Sequence, residues 1–481
     1  MEAKGSRFDV EGSNINKILL VSLSAFATGL AWRMRGESGF GGMSGMLIPA
    51  TILTLLIFFI WGDEQSISPA LIGTMILLMA VTANGWGTIN GQITGVLRAA
   101  ERTVPYYIAG YDIRVNPLSG IFAMFLVGFG WVPLWAVIVG LLFSKKSHNF
   151  KHFIKIGLCY AIFRYLGELI FCHLIIPFIA PRAFDLFVDG LLAEGYDMIP
   201  WEAYLFHFKD GIWYRGIAGG RNYAAMVSNL ASGIGAVGAW AYMKFKQKDN
   251  VASAIMMKIN LIFGFAITAA DIFIFINFGG LWRESIPNPP EWLPGWTMWE
   301  YATGFIAGGL TILMLFGYSK RFGGSGIRSD KESEPMTLNN EFMQWRHPNL
   351  YTFTVIFLGL FVYGFCSGMS LRLEKMGATG IVPYIPYILV LPGLFLYWLF
   401  ASGKLSMSRV PKKVQCLLGI LITVLVWEFV FLFVRVPIPI SEWIGSMQPM
   451  MLVSSVVSVS SIFLIIKKNK PKTVHQEGLG R

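Results

Sequence analysis

Apolar runs of about 17–25 residues, parted by short polar connections, recur along the whole chain, which is the length a helix needs to cross a hydrocarbon core. Alternation of period two is weak, so a β-barrel is not indicated. Hydropathy predicts about twelve spans. They lie near 16–33, 44–61, 67–83, 118–143, 153–179, 223–243, 255–278, 299–318, 350–371, 381–401, 414–434 and 447–466. The pattern predicts an all-α, polytopic integral membrane protein. Its parts are a membrane region of about eight spans over 1–318, a linker over 319–349, a region of about four spans over 350–466 and a disordered tail over 467–481. The linker is Ser/Lys/Glu-rich and poor in apolar residues, so it has little to bury.

Composition agrees with that pattern. The 481 residues are 54% hydrophobic and 14% charged, which is far more apolar surface than a soluble fold of this length hides. Mean hydropathy is +0.57. The formal charge of +11 would suggest nucleic acid in a soluble protein. Here the lysines concentrate in short connections: Lys145-Lys146, Lys244/Lys246/Lys248, Lys412-Lys413 and Lys467-Lys468. That is the positive-inside signature, and it accounts for the charge without a nucleic-acid partner. It places both termini in the cytoplasm and the chain in the cytoplasmic (inner) membrane. The acidic Asp63-Glu64 turn is the exception, assigned inside without a lysine.

Lys17 followed by an apolar stretch and Ala25-Phe26-Ala27 mimics a signal peptide. Asp9 and Glu11 precede it, however, and the apolar run continues past Ala27, so an uncleaved first span is expected. The four cysteines (Cys159, Cys172, Cys366, Cys416) fall inside apolar runs and show no CxxC or Cys/His spacing. No metal or cofactor is expected.

Four constellations are candidates for chemistry. At the outer end of the first span, Arg33, Arg35 and Glu37 lead into a glycine-rich stretch ending at Gly42. Free backbone N–H groups beside cations suit an anion, whereas an interfacial Arg–Glu anchor is the plain alternative. The third span dissolves into Asn84-Gly-Trp-Gly-Thr-Ile-Asn90-Gly-Gln92, with Arg98 following. Those amides offer donors and acceptors to a polar solute, and irregular backbone at membrane depth needs a protein-lined cavity. In span five Arg164 and Glu168 are at i and i+4 and share a helix face, with His173 off that face. A mid-span carboxylate is a functional candidate by default, and a structural ion pair is the alternative. Before span six come Arg215, Gly219-Gly220 and Arg221-Asn222, which a helix N-terminus would turn into an anion site. Asp271, Asn277, Glu428 and Arg435 are further intramembrane polar positions. Similar Arg/Gly joints stand at Arg35, Arg215 and Arg372, four spans apart, but coincidence explains them readily in a chain with 52 glycines.

Walker A, HExxH and GxSxG are absent from the sequence. The expected function is therefore a secondary transporter of an anionic or polar small solute, coupled to protons or sodium. In that reading the arginines and amides hold substrate, and Glu168, Asp271 or Glu428 carries the coupling ion. The alternative is an outward-facing membrane transferase using a lipid-linked phosphate donor, with Arg98, Arg102, Arg215 and Arg221 on the diphosphate and Glu37 or Asp112 as base. In layout alone the chain resembles multi-span glycosyltransferases and O-antigen polymerases or ligases; no diagnostic motif accompanies that layout. A non-catalytic assembly partner or sensor is the third class.

Overall fold

The computed structural model describes residues 14–36, 44–62, 69–82, 117–144, 146, 148, 150–175, 178, 220–278, 295–323, a discontinuous set between 366 and 399, 410–429 and 448–468. Among them the regular structure is helical, with no strand. The principal helices are α1 (Asn14–Gly36), α2 (Leu47–Trp61), α3 (Pro69–Thr82), α4 (Pro117–Phe129), α5 (Pro133–Leu142) and α6 (Phe150–Ile170). They continue with α7 (Gly220–Ala241), α8 (Asn250–Phe278), α9 (Gly295–Gly323), α10 (Lys412–Phe429) and α11 (Gln448–Lys468). Proline opens α3, α4 and α5, where its missing N–H leaves no intrahelical bond unmade. Among the described residues three stretches are long and apolar enough to cross a membrane: Ile15–Arg35, Asn250–Phe273 and Thr297–Tyr318.

These three are the central helices α1, α8 and α9. α1 and α9 run antiparallel, with Arg33 meeting Glu300 at one end and Lys17 Nζ 5.9 Å from the Phe316 ring at the other. Their contact is backbone-close because Gly304 and Gly308, four apart on α9, face Thr28 and Ser24. A Cβ at Gly308 would stand 2.7 Å from the Ser24 carbonyl oxygen, and Ser24 Oγ donates to the Gly308 carbonyl at 2.8 Å. α8 is antiparallel to α9, joined by Trp299–Asp271 at one end and by Lys258 Nζ, 4.6 Å from the Tyr318 ring, at the other. α7 packs on α6, α11 lies on α1, and α10 lies on α2.

The predicted fourth span is two helices. α4 and α5 follow each other along α8, Phe125 beside Gly264 and Gly140 beside Ala252, but they are parted at Gly130–Val132. Pro133 cannot donate to the α4 carbonyls, so the ladder stops there and resumes with Ala136 N–H to the Val132 carbonyl at 2.8 Å. Gly130 lets α7 approach: its carbonyl accepts from Ser232 Oγ at 2.6 Å, and Ser232 in turn meets the Tyr160 hydroxyl at 2.7 Å.

The lysine-bearing end is tied by a compact polar junction. Asp249 caps α8, its Oδ1 accepting from the Ala252 N–H at 2.9 Å. Its Oδ2 takes the Ser144 hydroxyl and His148 Nε2, the latter at 2.6 Å, which joins the end of α5 and the approach to α6 to the start of α8. Burial favours the neutral carboxyl, but the hydrogen bonds from His148, Ser144 and the Ala252 N–H, together with His148's charge, outweigh it and hold Asp249 below the ordinary aspartate value.

Candidate functional site

At the opposite end, the close of α1 and the opening of α9 assemble a buried cationic group. Both arginines belong to α1, which continues through Gly36, so they sit on the helix and not in a turn beyond it. Arg33 and Arg35 are 7% and 1% exposed. Arg33 Nη1 stands 3.6 Å from Glu300 Oε2, in the first two turns of α9. Among the described residues Glu300 is the acid that acts on both guanidiniums. Asp271 faces elsewhere, its Oδ1 accepting the Trp299 indole N–H at 2.7 Å. Beyond Glu300, Tyr301 OH meets Ser454 Oγ of α11 at 2.7 Å, which anchors this turn on its other side.

Arg35 reaches the break in the fourth span. Its guanidinium carbon lies 4.8 Å from the Trp131 ring centroid, a cation–π contact. Trp131 stacks on Trp32 at 5.4 Å with the planes 19° apart, and Trp32 leans on Phe263 at 5.7 Å. Among the described residues several buried polar atoms here have no hydrogen-bond partner: Arg35 Nε and Nη2, Trp32 Nε1 and Trp131 Nε1. Asn260, one turn before Phe263 on α8, adds an unpartnered amide. Buried donors are ordinarily paired, so a concentration of unpaired ones has a chemical meaning. The atoms around Arg35 are N–H donors attached to a cation and two indoles. α5 starts two residues after Trp131, and the Leu134 and Trp135 N–H groups of its first turn have no intrahelical acceptor. Such a surface is cationic and rich in donors.

Trp131 is about twelve residues above Phe143, hence roughly 18 Å along the bundle axis at ~1.5 Å per residue. Phe143 and Phe316 both contact Trp61, in the layer near Lys17. Arg35, in the last turn of α1, is eighteen residues past Lys17, roughly 27 Å at ~1.5 Å per residue, so its contact with Trp131 lies toward the end of the bundle opposite the lysines.

Of the sequence candidates, the structure brings together Arg33, Arg35 and Asp271. Arg164 and Glu168 do share a face of α6, Nε to Oε1 at 3.7 Å with Glu168 buried, and α6 packs chiefly on α7. That pair is apart from the group that α1, α8 and α9 build. His173 falls in the π-helical turn Phe171–Ile175 that ends α6, a distortion frequent at functional sites. Arg221 and Asn222 lie in the first turn of α7, which starts at Gly220, and Glu428 lies in the last turn of α10; for these and His173 the backbone alone is described. Glu37, Asn84, Asn90, Gln92, Arg98, Arg215 and Arg435 lie outside the described residues. Residues that sequence reasoning missed are Trp32, Trp131, Trp299 and Glu300. The signal was present in Gly128-Phe-Gly-Trp-Val-Pro133, a Gly/Pro interruption in the middle of an apolar run.

No protein-family model matches the chain, and no curated protein or solved structure matches it either.

Proposed function

We propose that the chain is a multi-pass protein of the cytoplasmic membrane, with about twelve spans and both termini inside, that moves a small anionic solute as a secondary transporter. One observation carries the reading: Arg35, buried where the fourth span is broken, has two N–H groups without a partner among the described residues. A buried guanidinium with unmet donors is expensive to keep and is a functional candidate by default. The helix that restarts beside it brings the N–H groups of Leu134 and Trp135 close to the same level, the kind of helix N-terminus by which transporters hold anions. Arg35 is buried and lies against Trp131 at the α4–α5 break. That suits a solute passing through the protein better than a lipid-linked donor entering from the side. Asp271, buried one hydrogen bond from the Glu300 turn, is the carboxylate best placed to carry a coupling proton.

The test is uptake by proteoliposomes of labelled anions, with and without an imposed proton gradient. Gradient-driven uptake that Arg35→Gln abolishes is expected. Absence of uptake for every anion, or unimpaired uptake by Arg35→Gln, would sink the proposal. The topology has its own check, labelling by an impermeant maleimide after the native cysteines are removed. Asn288→Cys should react from outside and Lys472→Cys only after permeabilisation; the reverse pattern would invert the orientation.

A further inference from the structure

We infer that the Arg35–Trp32–Trp131 group is a binding site for one monocarboxylate with an apolar or aromatic body; this rests on the transporter reading only for the path by which the anion reaches Arg35. The argument starts from which donors are unpaired. Arg35 Nε and Nη2 are the two N–H groups along one edge of the guanidinium, and both lack a partner among the described residues. That edge presents two parallel N–H vectors at the spacing of the two oxygens of a carboxylate, so it is a ready fork for bidentate binding. A spherical ion uses only one direction of it.

Valence comes from the charges. Arg33 and Arg35 contribute two cations, and Glu300 is the acid that acts on both among the described residues. Glu300 stands 3.6 Å from Arg33, so the uncompensated charge is one unit and belongs to Arg35. A monoanion neutralises the group. A dianion would bring a second charge into a buried setting with no further cation among the described residues of the group to meet it, and buried unpaired charge is strongly unfavourable.

The body of the ligand is set by the walls. The Trp32 and Trp131 rings stack on one another, and the Phe263 ring closes against Trp32, all three buried. The ring faces are taken up by one another and by Arg35, so a ligand body beside Arg35 meets apolar ring edges, which disfavour a strongly hydrated group. The indole Nε1 atoms of Trp32 and Trp131, also without partners among the described residues, can each donate to an oxygen of the ligand but accept nothing. The Asn260 amide, one turn before Phe263, adds an acceptor oxygen as well as a donor, both unpartnered among the described residues.

Equilibrium binding decides the matter. Full-length protein in detergent would be titrated calorimetrically with benzoate, butyrate, succinate and sulfate. Benzoate is expected to bind with unit stoichiometry and tighter than butyrate, with succinate and sulfate about tenfold weaker or more. Arg35→Lys keeps the charge but loses the fork, and should weaken benzoate on the order of 10- to 100-fold. Sulfate or succinate binding as tightly as benzoate, or no monocarboxylate binding, would overturn the assignment without any variant. Unchanged benzoate affinity in Arg35→Lys would overturn it too. Uptake of another anion in the absence of monocarboxylate binding would remove this assignment and leave transport standing. Monocarboxylate binding without uptake of any anion would do the reverse.

Discussion

The Trp299 indole N–H donates to Asp271 Oδ1 at 2.7 Å, linking the start of α9 to the upper part of α8 beside the Arg33–Glu300 pair. Asp271→Asn keeps an acceptor oxygen for that N–H, whereas Asp271→Ala leaves a buried indole unsatisfied at about 1–3 kcal/mol. The alanine variant should therefore melt several degrees below the asparagine variant in a thermal-denaturation assay. If Asp271 carries the proton, Asp271→Asn will lose gradient-driven uptake and retain solute exchange between the two sides of the vesicle. Equal melting of the two variants would remove the hydrogen bond from the account, and full gradient-driven uptake by Asp271→Asn would remove the proton role.

Glu300→Gln tests the charge balance at the same end. The substitution leaves Arg33 and Arg35 with no acid acting on them among the described residues, so the group should gain preference for dianions. The ratio of succinate to benzoate affinity is expected to rise about tenfold, and succinate should raise the melting temperature of the variant more than benzoate does. An unchanged ratio would show that Glu300 does not set the valence.

Acid stability should depend on Asp249. Burial raises its carboxyl, but the bonds from His148, Ser144 and the Ala252 N–H, with the charge of His148, bring it below the ordinary 3.8. A depressed carboxylate stabilises the fold fully above that unfolded-state value and loses its contribution as the pH falls below it through the folded value. Thermal melts between pH 7 and pH 3 should show a loss at the acid end that is smaller in Asp249→Asn. Parallel curves for the two proteins would refute the linkage.

The α1–α9 seam predicts a pair of opposite results. Gly308→Ala places a Cβ 2.6 Å from Thr28 Oγ1 and 2.7 Å from the Ser24 carbonyl oxygen, overpacking that costs about 1–3 kcal/mol. Gly317→Ala, nine residues further along α9, meets nothing within 4 Å and should be neutral or slightly stabilising. Detergent melting temperatures of the two variants separate the cases, and equal values would argue against a close seam.

Much of the architecture could be read from the chain because it depends on local composition. A run such as Ile18 to Ala31 becomes a helix in any apolar setting, since backbone groups in lipid have to be satisfied within the segment. The same holds for the runs that became α8 and α9, and for an intramembrane pair such as Arg164–Glu168, whose i,i+4 spacing places both on one helix face. Which charged residues meet across helices is a different kind of information. Arg33 and Glu300 are far apart in sequence, and their pairing follows from the antiparallel seam that Gly304 and Gly308 allow. Trp131 looked like one more aromatic residue in the run 118–143. Its role appeared once Pro133 was seen to break the hydrogen-bond ladder at the depth where Arg35 arrives from α1. The sequence by itself determined helices, their apolar character and the presence of costly charges. The tertiary structure decided that Arg35 keeps two donors unpaired among the described residues, against a broken helix, because pairing between side chains is fixed by packing across helices and not by spacing along one.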